Sequence, residues 1–190
     1  MNSNESASGG TDVTLTTGRL ILRRFTMADV PRVAVICSAP ELQRATFLPR
    51  PYTVENAADW IGGQEAAWRE ERDFVFAVVE KESGRLIGAA NVLFARAARR
   101  ADIGYWLAVE SWGQGYTTEA MRAILTWFCR EKCVHKICGT YLGYNIRSGR
   151  VMEKLGLVRE AVRPEHIYQD GIYHDLVCCG KILPDGTYPG

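Results

Sequence analysis

Two rhythms of apolar and polar positions run along the chain. Short apolar runs at Arg19 to Phe25, Phe74 to Glu80, Arg85 to Phe94, Ala101 to Val109, His135 to Tyr144, Leu157 to Tyr168 and Ile172 to Leu183 have the length and density of strands. Between Thr117 and Lys132 the rhythm changes. Met121, Ile124, Leu125 and Phe128 fall at i, i+3, i+4 and i+7, one face of an amphipathic helix. Thr26, followed three residues later by Asp29, opens a helix to about Cys37, and Thr53 caps another to about Arg72, with a bend at Gly62 and Gly63. Between them, prolines and aromatics over Pro40 to Tyr52 break any long period. Asn145 to Leu155 reads as a helix closed by Gly156.

The connections fix how these elements pair. Glu82-Ser83-Gly84 and Arg96 to Arg100 are short, which makes the three middle strands an antiparallel meander, and Asp170-Gly171 turns a final hairpin. The expected fold class is α/β (α+β), one domain with a mixed, mostly antiparallel central sheet of about seven strands flanked by helices, in the order βααβββαβαββ. Residues 1–13 are small and polar and read as a disordered tail, residues 14–183 as the domain, and residues 184–190, with two prolines and two glycines, as a C-terminal tail.

Composition narrows the function classes. At 190 residues and 47% hydrophobic, the chain has enough apolar content for a core without disulfides or a structural metal. Six cysteines (Cys37, Cys129, Cys133, Cys138, Cys178, Cys179) form no Cys-x-x-Cys pair, and their neighbours suggest buried thiols in a reducing, cytoplasmic setting. No apolar run approaches the roughly 20 residues of a membrane span. A net charge of +1 argues against nucleic acid as a partner. Cys133, His135 and Cys138 do not match a zinc framework, so no metal is expected.

The chemistry-bearing stretch is Trp112-Gly113-Gln114-Gly115-Tyr116-Thr117-Thr118, between a strand and the amphipathic helix. A glycine turn at a helix N-terminus gathers unpaired N–H groups and the positive end of the dipole, which suits a phosphate, although the same glycines would also serve a plain tight turn. A dinucleotide fingerprint wants a third glycine where Thr118 stands, and an acidic residue on the next strand, which has none. No nucleotide-hydrolysing loop sequence is present.

The chain resembles the GNAT superfamily of acyl-CoA-dependent N-acyltransferases, within it the RimJ/RimL-like branch of ribosomal-protein N-acetyltransferases. The resemblance runs from about Thr16 to Leu183. It rests on Thr17-Gly18-Arg19-Leu20-Ile21-Leu22-Arg23, Ile103-Gly104-Tyr105-Trp106-Leu107, the Trp112 to Ala120 stretch, Asn145-Ile146-Arg147-Ser148, Glu153-Lys154-Leu155-Gly156-Leu157 and Asp170 to Asp175. It implies a GNAT-like fold with acetyl-CoA as co-substrate. By the same resemblance, Gln114, Gly115, Tyr116, Thr117 and Thr118 cradle its pyrophosphate, and the backbone of Leu107, Ala108 and Val109 pairs with its pantetheine arm and supplies oxyanion donors. Asn145 and Ser148 complete the cofactor set.

The implied reaction is direct attack by a primary amine, a protein N-terminus or a small amine, in a ternary complex. The alternative is a noncatalytic acyl-CoA sensor, favoured because the position of the superfamily's usual tyrosine acid is Met152. Ser148 is then the acid, a cofactor ligand or a cap of its own helix. Asp102 is either a proton relay or a solvated strand-end carboxylate near Arg99 and Arg100. A glutamate used as base in some relatives falls on Ile167, beside Glu165 and His166. Phe47, Trp106 and Tyr168 are expected in the acceptor pocket, Trp60, Trp68 and Trp127 in the core, and Arg96, Arg99 and Arg100 in a solvated turn or near a phosphate. A covalent cysteine route is disfavoured because no cysteine lies in the glycine-turn motif, Cys138 on the following strand being the remaining candidate. The sequence sets no oligomeric state.

Overall fold

The computed structural model describes residues 13–190, so all but Val13 of the expected N-terminal tail lies outside the described residues. Eight strands form one sheet: β1 (Leu15–Thr16), β2 (Leu20–Arg23), β3 (Asp73–Glu80), β4 (Leu86–Ala95), β5 (Arg100–Leu107), β6 (Lys136–Leu142), β7 (Val158–Gln169) and β8 (Ile172–Ile182). Their order is β1-β2-β3-β4-β5-β6-β8-β7. All neighbours are antiparallel except β5 and β6, which run parallel because α5 (Tyr116–Glu131) carries the chain back across the sheet. The sheet has one strand more than the pattern suggested. The added β1 is only two residues long, too short for alternation to reveal.

Helices cover both faces. Phe74, Phe76 and Val78 of β3 pack with Met121, Ile124, Leu125 and Phe128 of α5, while Ala77 and Val79 face α1 (Val30–Cys37) and α3 (Val54–Gly62) on the other side. This double burial is why β3 reads as an unbroken apolar run. Trp68, Phe74, Phe76, Trp127 and Phe128 form an edge-to-face aromatic cluster with centroids 5.0–6.1 Å apart. At the expected bend the helix is interrupted only at Gly63, which keeps a right-handed backbone (φ −75°, ψ −15°) between α3 and α4 (Gln64–Arg69), and Pro40–Ala45 forms a short α2 inside the stretch expected to be irregular. Two further expectations are corrected. Tyr188 is buried and its hydroxyl donates to the Leu155 carbonyl (3.1 Å), so the otherwise largely exposed C-terminal segment is anchored at that residue. Cys133 is exposed, with Arg99 Nη2 at 2.7 Å from its sulfur, and is no buried thiol.

The turn before α1 rests on a buried ion pair. Arg23 binds Asp29 through two bonds of 2.8 Å, and Asp29 also accepts from the Thr26 N–H at 2.9 Å. Burial pushes the Asp29 carboxyl up, but the Arg23 and Thr26 hydrogen bonds outweigh it and hold the carboxyl below its usual range. Because the native pKa is lowered, this stabilisation is complete above about pH 4 and disappears as the pH falls through the native value. Asp29→Ala, which removes two of the Arg23 bonds and leaves that partly exposed guanidinium to water and the Arg24 carbonyl, is expected to cost about 1–3 kcal/mol, read as a lower urea midpoint at pH 7. The gap between the two proteins should shrink on acidification below pH 4.

Candidate active site

The loop opening α5 is shaped by two left-handed glycines, Gly113 (φ 77°) and Gly115 (φ 83°). The Trp112 N–H closes a 3₁₀ turn over Val109–Ser111 by donating to the Val109 carbonyl (3.1 Å). From Gly113 to Thr118 no backbone N–H donates to an acceptor among the described residues, and the first helical bond runs from the Glu119 N–H to the Gly115 carbonyl (3.1 Å). A row of free donors at the positive end of a 16-residue helix has the geometry that suits an anion.

A clamp behind the loop fixes it. Glu119 accepts from Thr17 Oγ1 (2.6 Å), the Arg19 N–H (2.9 Å) and Arg19 Nε (2.7 Å), while Arg19 Nη1 donates to the Gln114 carbonyl (3.0 Å) and the guanidinium lies 4.4 Å above the Tyr116 ring. Burial raises the Glu119 carboxyl, but these donors hold it below its usual range. The loop is thus tied by a carbonyl, and its N–H groups stay uncommitted. Tyr116 offers only its backbone, since its hydroxyl donates to Glu80 Oε1 (2.6 Å). Thr118 is buried, whereas Gln114 and Gly115 are exposed.

Beside the loop the sheet opens. β5 and β6 pair only over Arg100–Asp102 against Lys136–Cys138, and from Ile103 onward they part. Gly139 of β6 and Met152 of α6 (Ile146–Lys154) meet there. A Cβ on Gly139 would lie 2.5 Å from the Met152 methyl, so the glycine admits the fully buried methionine. Of the Leu107 to Val109 stretch expected to offer donors, the Ala108 N–H is taken by the Ile87 carbonyl (2.8 Å), and the Leu107 carbonyl accepts from Trp112 Nε1 (2.8 Å). β5 itself ends at Leu107. Arg147 of α6 lies 5.2 Å from the Trp112 ring, placing a guanidinium across the mouth.

The opening leads to a cavity of about 510 Å³ whose lining includes Phe47, Trp106, Asn145 and Ser148. Asn145 caps α6 by accepting from the Ser148 N–H (3.1 Å), and its amide reaches the Ala45 carbonyl (3.4 Å). The Ser148 hydroxyl is 2.8 Å from the hydroxyl of Tyr105, which reaches in from β5. Burial pushes the Tyr105 phenol up to about 12, with Ser148 pulling the other way, so it keeps its proton throughout the neutral range. The superfamily's tyrosine is missing from the helix, and a phenol arrives from the strand instead. Sequence reasoning passed over Tyr105 because an aromatic in a strand reads as packing.

Several other expected residues lie elsewhere. Asp102 does not line the cavity; it is bound to Arg100 Nε (2.8 Å) on the half-exposed stretch where β5 and β6 still pair. Tyr168 is exposed on the β7–β8 hairpin against Tyr173 (4.9 Å), outside the lining. Glu165, His166 and Ile167 are also outside it, as is Cys138, whose thiol is pushed up chiefly by burial. Arg96, Arg99 and Arg100 sit at the far end of β5 from the loop, where Arg96 and Arg100 pair with Glu71 and Asp102. No group of three or more His, Cys, Asp or Glu residues among the described residues could hold a metal ion.

Comparison with known proteins agrees with this geometry. Residues 19–158 match the acetyltransferase (GNAT) domain family. A Bacillus subtilis (strain 168) protein described as an uncharacterized N-acetyltransferase, YoaA, is 28% identical over 90% of this chain and 97% of its own length. The [ribosomal protein uS5]-alanine N-acetyltransferase of Escherichia coli (strain K12) is 29% identical over 62% of this chain and 61% of its own. In fold, the chain is similar to RimL, a ribosomal L7/L12 alpha-N-protein acetyltransferase solved with coenzyme A, at a TM-score of 0.82 and 20% identity, covering 90% of this chain and 98% of that one. With the domain match covering most of its length, this chain belongs to the GNAT family and is an acetyl-CoA-dependent N-acetyltransferase.

Proposed function

We propose that the chain acetylates a primary amine, a protein N-terminus or a small amine, by direct attack on acetyl-CoA in a ternary complex. The observation that carries this reading is the Tyr105–Ser148 hydroxyl pair, 2.8 Å apart, in the cavity reached through the β5–β6 opening. In this reading the N–H groups of Gln114 to Thr118 take the pyrophosphate, with Arg147 adding positive charge at the mouth. The unpaired edge of β5 and the residues up to Val109 run alongside the pantetheine amides. Asn145 acts by holding the first turn of α6, and so Ser148, in place.

The amine nitrogen, deprotonated, attacks the thioester carbonyl carbon. As the C–N bond forms and the C–S bond breaks, the sulfur takes up a proton and the amine gives one up to water, leaving an amide and free thiol. The Ser148 hydroxyl, bonded to the Tyr105 phenol, is the donor to the departing sulfur and regains a proton from the water that took up the amine's, so that the serine and the phenol are both protonated again at the end of the step. Six free cysteines support a reducing compartment as the place of action.

Three outcomes follow, each read by thiol release from acetyl-CoA. Ser148→Ala and Tyr105→Phe are each expected to lower kcat by roughly 10²-fold with the KM for acetyl-CoA within about threefold, and their double variant to lose little more than either. A raised KM at unchanged kcat would make the pair a binding element. Gly115→Val, forced to a φ of 83° that β-branched residues avoid, should weaken acetyl-CoA binding by about tenfold or more in calorimetry, with a lowered urea midpoint that reflects only the local strain of about 1–3 kcal/mol and a cooperative unfolding transition that is retained. For pH, kcat/KM should climb as the acceptor amine loses its proton and show no falling limb up to about pH 9.5, because the Tyr105 phenol that backs the Ser148 donor is pushed up to about 12 and keeps its proton over that range.

A further inference from the structure

The floor of the cavity carries charge that the transfer step does not use. β3, β4 and β5 contribute Asp73, Asn91 and Gly104 to its lining. Gly104 stands opposite Asn91 in the β4–β5 register, and a Cβ there would fall 2.4 Å from Asn91 Oδ1, so the missing side chain lets the amide lie over β5. Held there, Asn91 Nδ2 donates to Asp73 Oδ1 at 2.7 Å. Asp73 Oδ2 receives no hydrogen bond from the described residues, and the adjacent Arg72 turns its Nε to Glu70 at 2.5 Å. Burial pushes the Asp73 carboxyl up, opposed by Asn91 and Arg72. Asp59 of α3 lines the same cavity, and among the described residues that line it there is no Lys, Arg or His.

Such a lining selects ligands by charge. A neutral molecule entering the cavity leaves the partly buried carboxylate without a counterion, whereas a cation satisfies it. The placement also sets which cation. Asp73 lies two strands from β5 and two residues along β3 from the position level with Gly104, on the order of 10 Å from the Gly104 end of the site by strand geometry. That is too far to touch the attacking nitrogen when it meets the Tyr105–Ser148 pair.

We propose that Asp73, positioned by Asn91 over Gly104, is a specificity residue that receives a second positive charge of the acceptor, so that the favoured acceptor class is an amine carrying another cationic group well removed from the reacting nitrogen. The inference rests on the acetyl transfer proposed above and concerns only which amine is taken. The same chemistry has two sources, a small diamine or polyamine and a peptide with a basic side chain near its N-terminus, and the test separates them.

The test compares initial rates at saturating acetyl-CoA for matched acceptors: straight-chain diamines against monoamines of equal length, and two peptides differing only by Lys or Met at the second position. Wild-type protein is expected to favour the dication by about tenfold or more in kcat/KM in one of the two arms, the diamine preference growing with chain length until the second amine reaches Asp73. Asp73→Asn should erase that preference through the KM of the dication, leaving the monoamine rate and the KM for acetyl-CoA within about twofold. Asn91→Ala, which removes only the support, should reduce the preference while retaining part of it. Equal rates for charged and neutral acceptors in the wild type, or a preference that survives Asp73→Asn, would overturn the assignment while leaving acetyl transfer standing. Tight acetyl-CoA binding with no thiol release from any amine would instead overturn the transfer reading, and this inference with it.

Discussion

Beyond Asp102 the two central strands have nothing to bond to on their facing edges, and the site follows from that gap. Three residues of parallel pairing join β5 to β6, enough to hold the two halves of the sheet together. A parallel pair needs a long crossover, here α5, and the crossover starts where β5 ends, so the helix N-terminus and the exposed strand edge arrive side by side. An anion site and a row of unpaired backbone groups are thereby placed in one mouth. A ligand with phosphates at one end and amides along its arm matches both. The gap is kept from closing by side chains of α6, with Met152 seated over Gly139 and Ser148 bonded to Tyr105.

The rest of the molecule holds that geometry still. The chain's first strands reach around to the loop through Thr17, Arg19 and Glu119, and the segment between α2 and α3 forms one wall of the cavity. That wall is pinned to the other half of the sheet by the Tyr144 hydroxyl on the Arg44 carbonyl, by Gln169 on the carbonyls of Gln43 and Arg44, and by the Arg50–Asp170 pair. The cavity is therefore lined from both halves of a sheet that is joined by hydrogen bonds over only three residues at its centre.

Much of this was legible in the sequence, and what was not has a common cause. Periodicity located α5 and the middle strands, since a buried helix face and doubly buried strands leave strong patterns, whereas the glycine turn at Gly113 and Gly115 read equally as an anion site or as a plain tight turn. The resemblance supplied the fold family, the loop and Ser148. Hidden were residues whose meaning comes from register across strands. Tyr105 looks like strand packing until α6 brings Ser148 to it, Asp73 looks like a solvated strand end until Asn91 and Gly104 line up beside it, and Asp102 looks equally suited until the pairing with Arg100 takes it out of the cavity. Tyr188 was hidden for a related reason, as a Pro- and Gly-rich end reads as loose unless its docking partner, the Leu155 carbonyl, is known.

Backbone amide exchange measured with and without acetyl-CoA tests the central claim most directly. The account places the co-substrate on the free N–H groups of Gly113 to Thr118 and along the open edge of β5. Those amides, which lack intramolecular acceptors in the loop, should exchange rapidly in the free protein and slow markedly when acetyl-CoA is added, while β1, β7 and the far end of β5 near Arg99 stay unchanged. Protection that appeared elsewhere and left the Gly113–Thr118 amides as fast as before would contradict it.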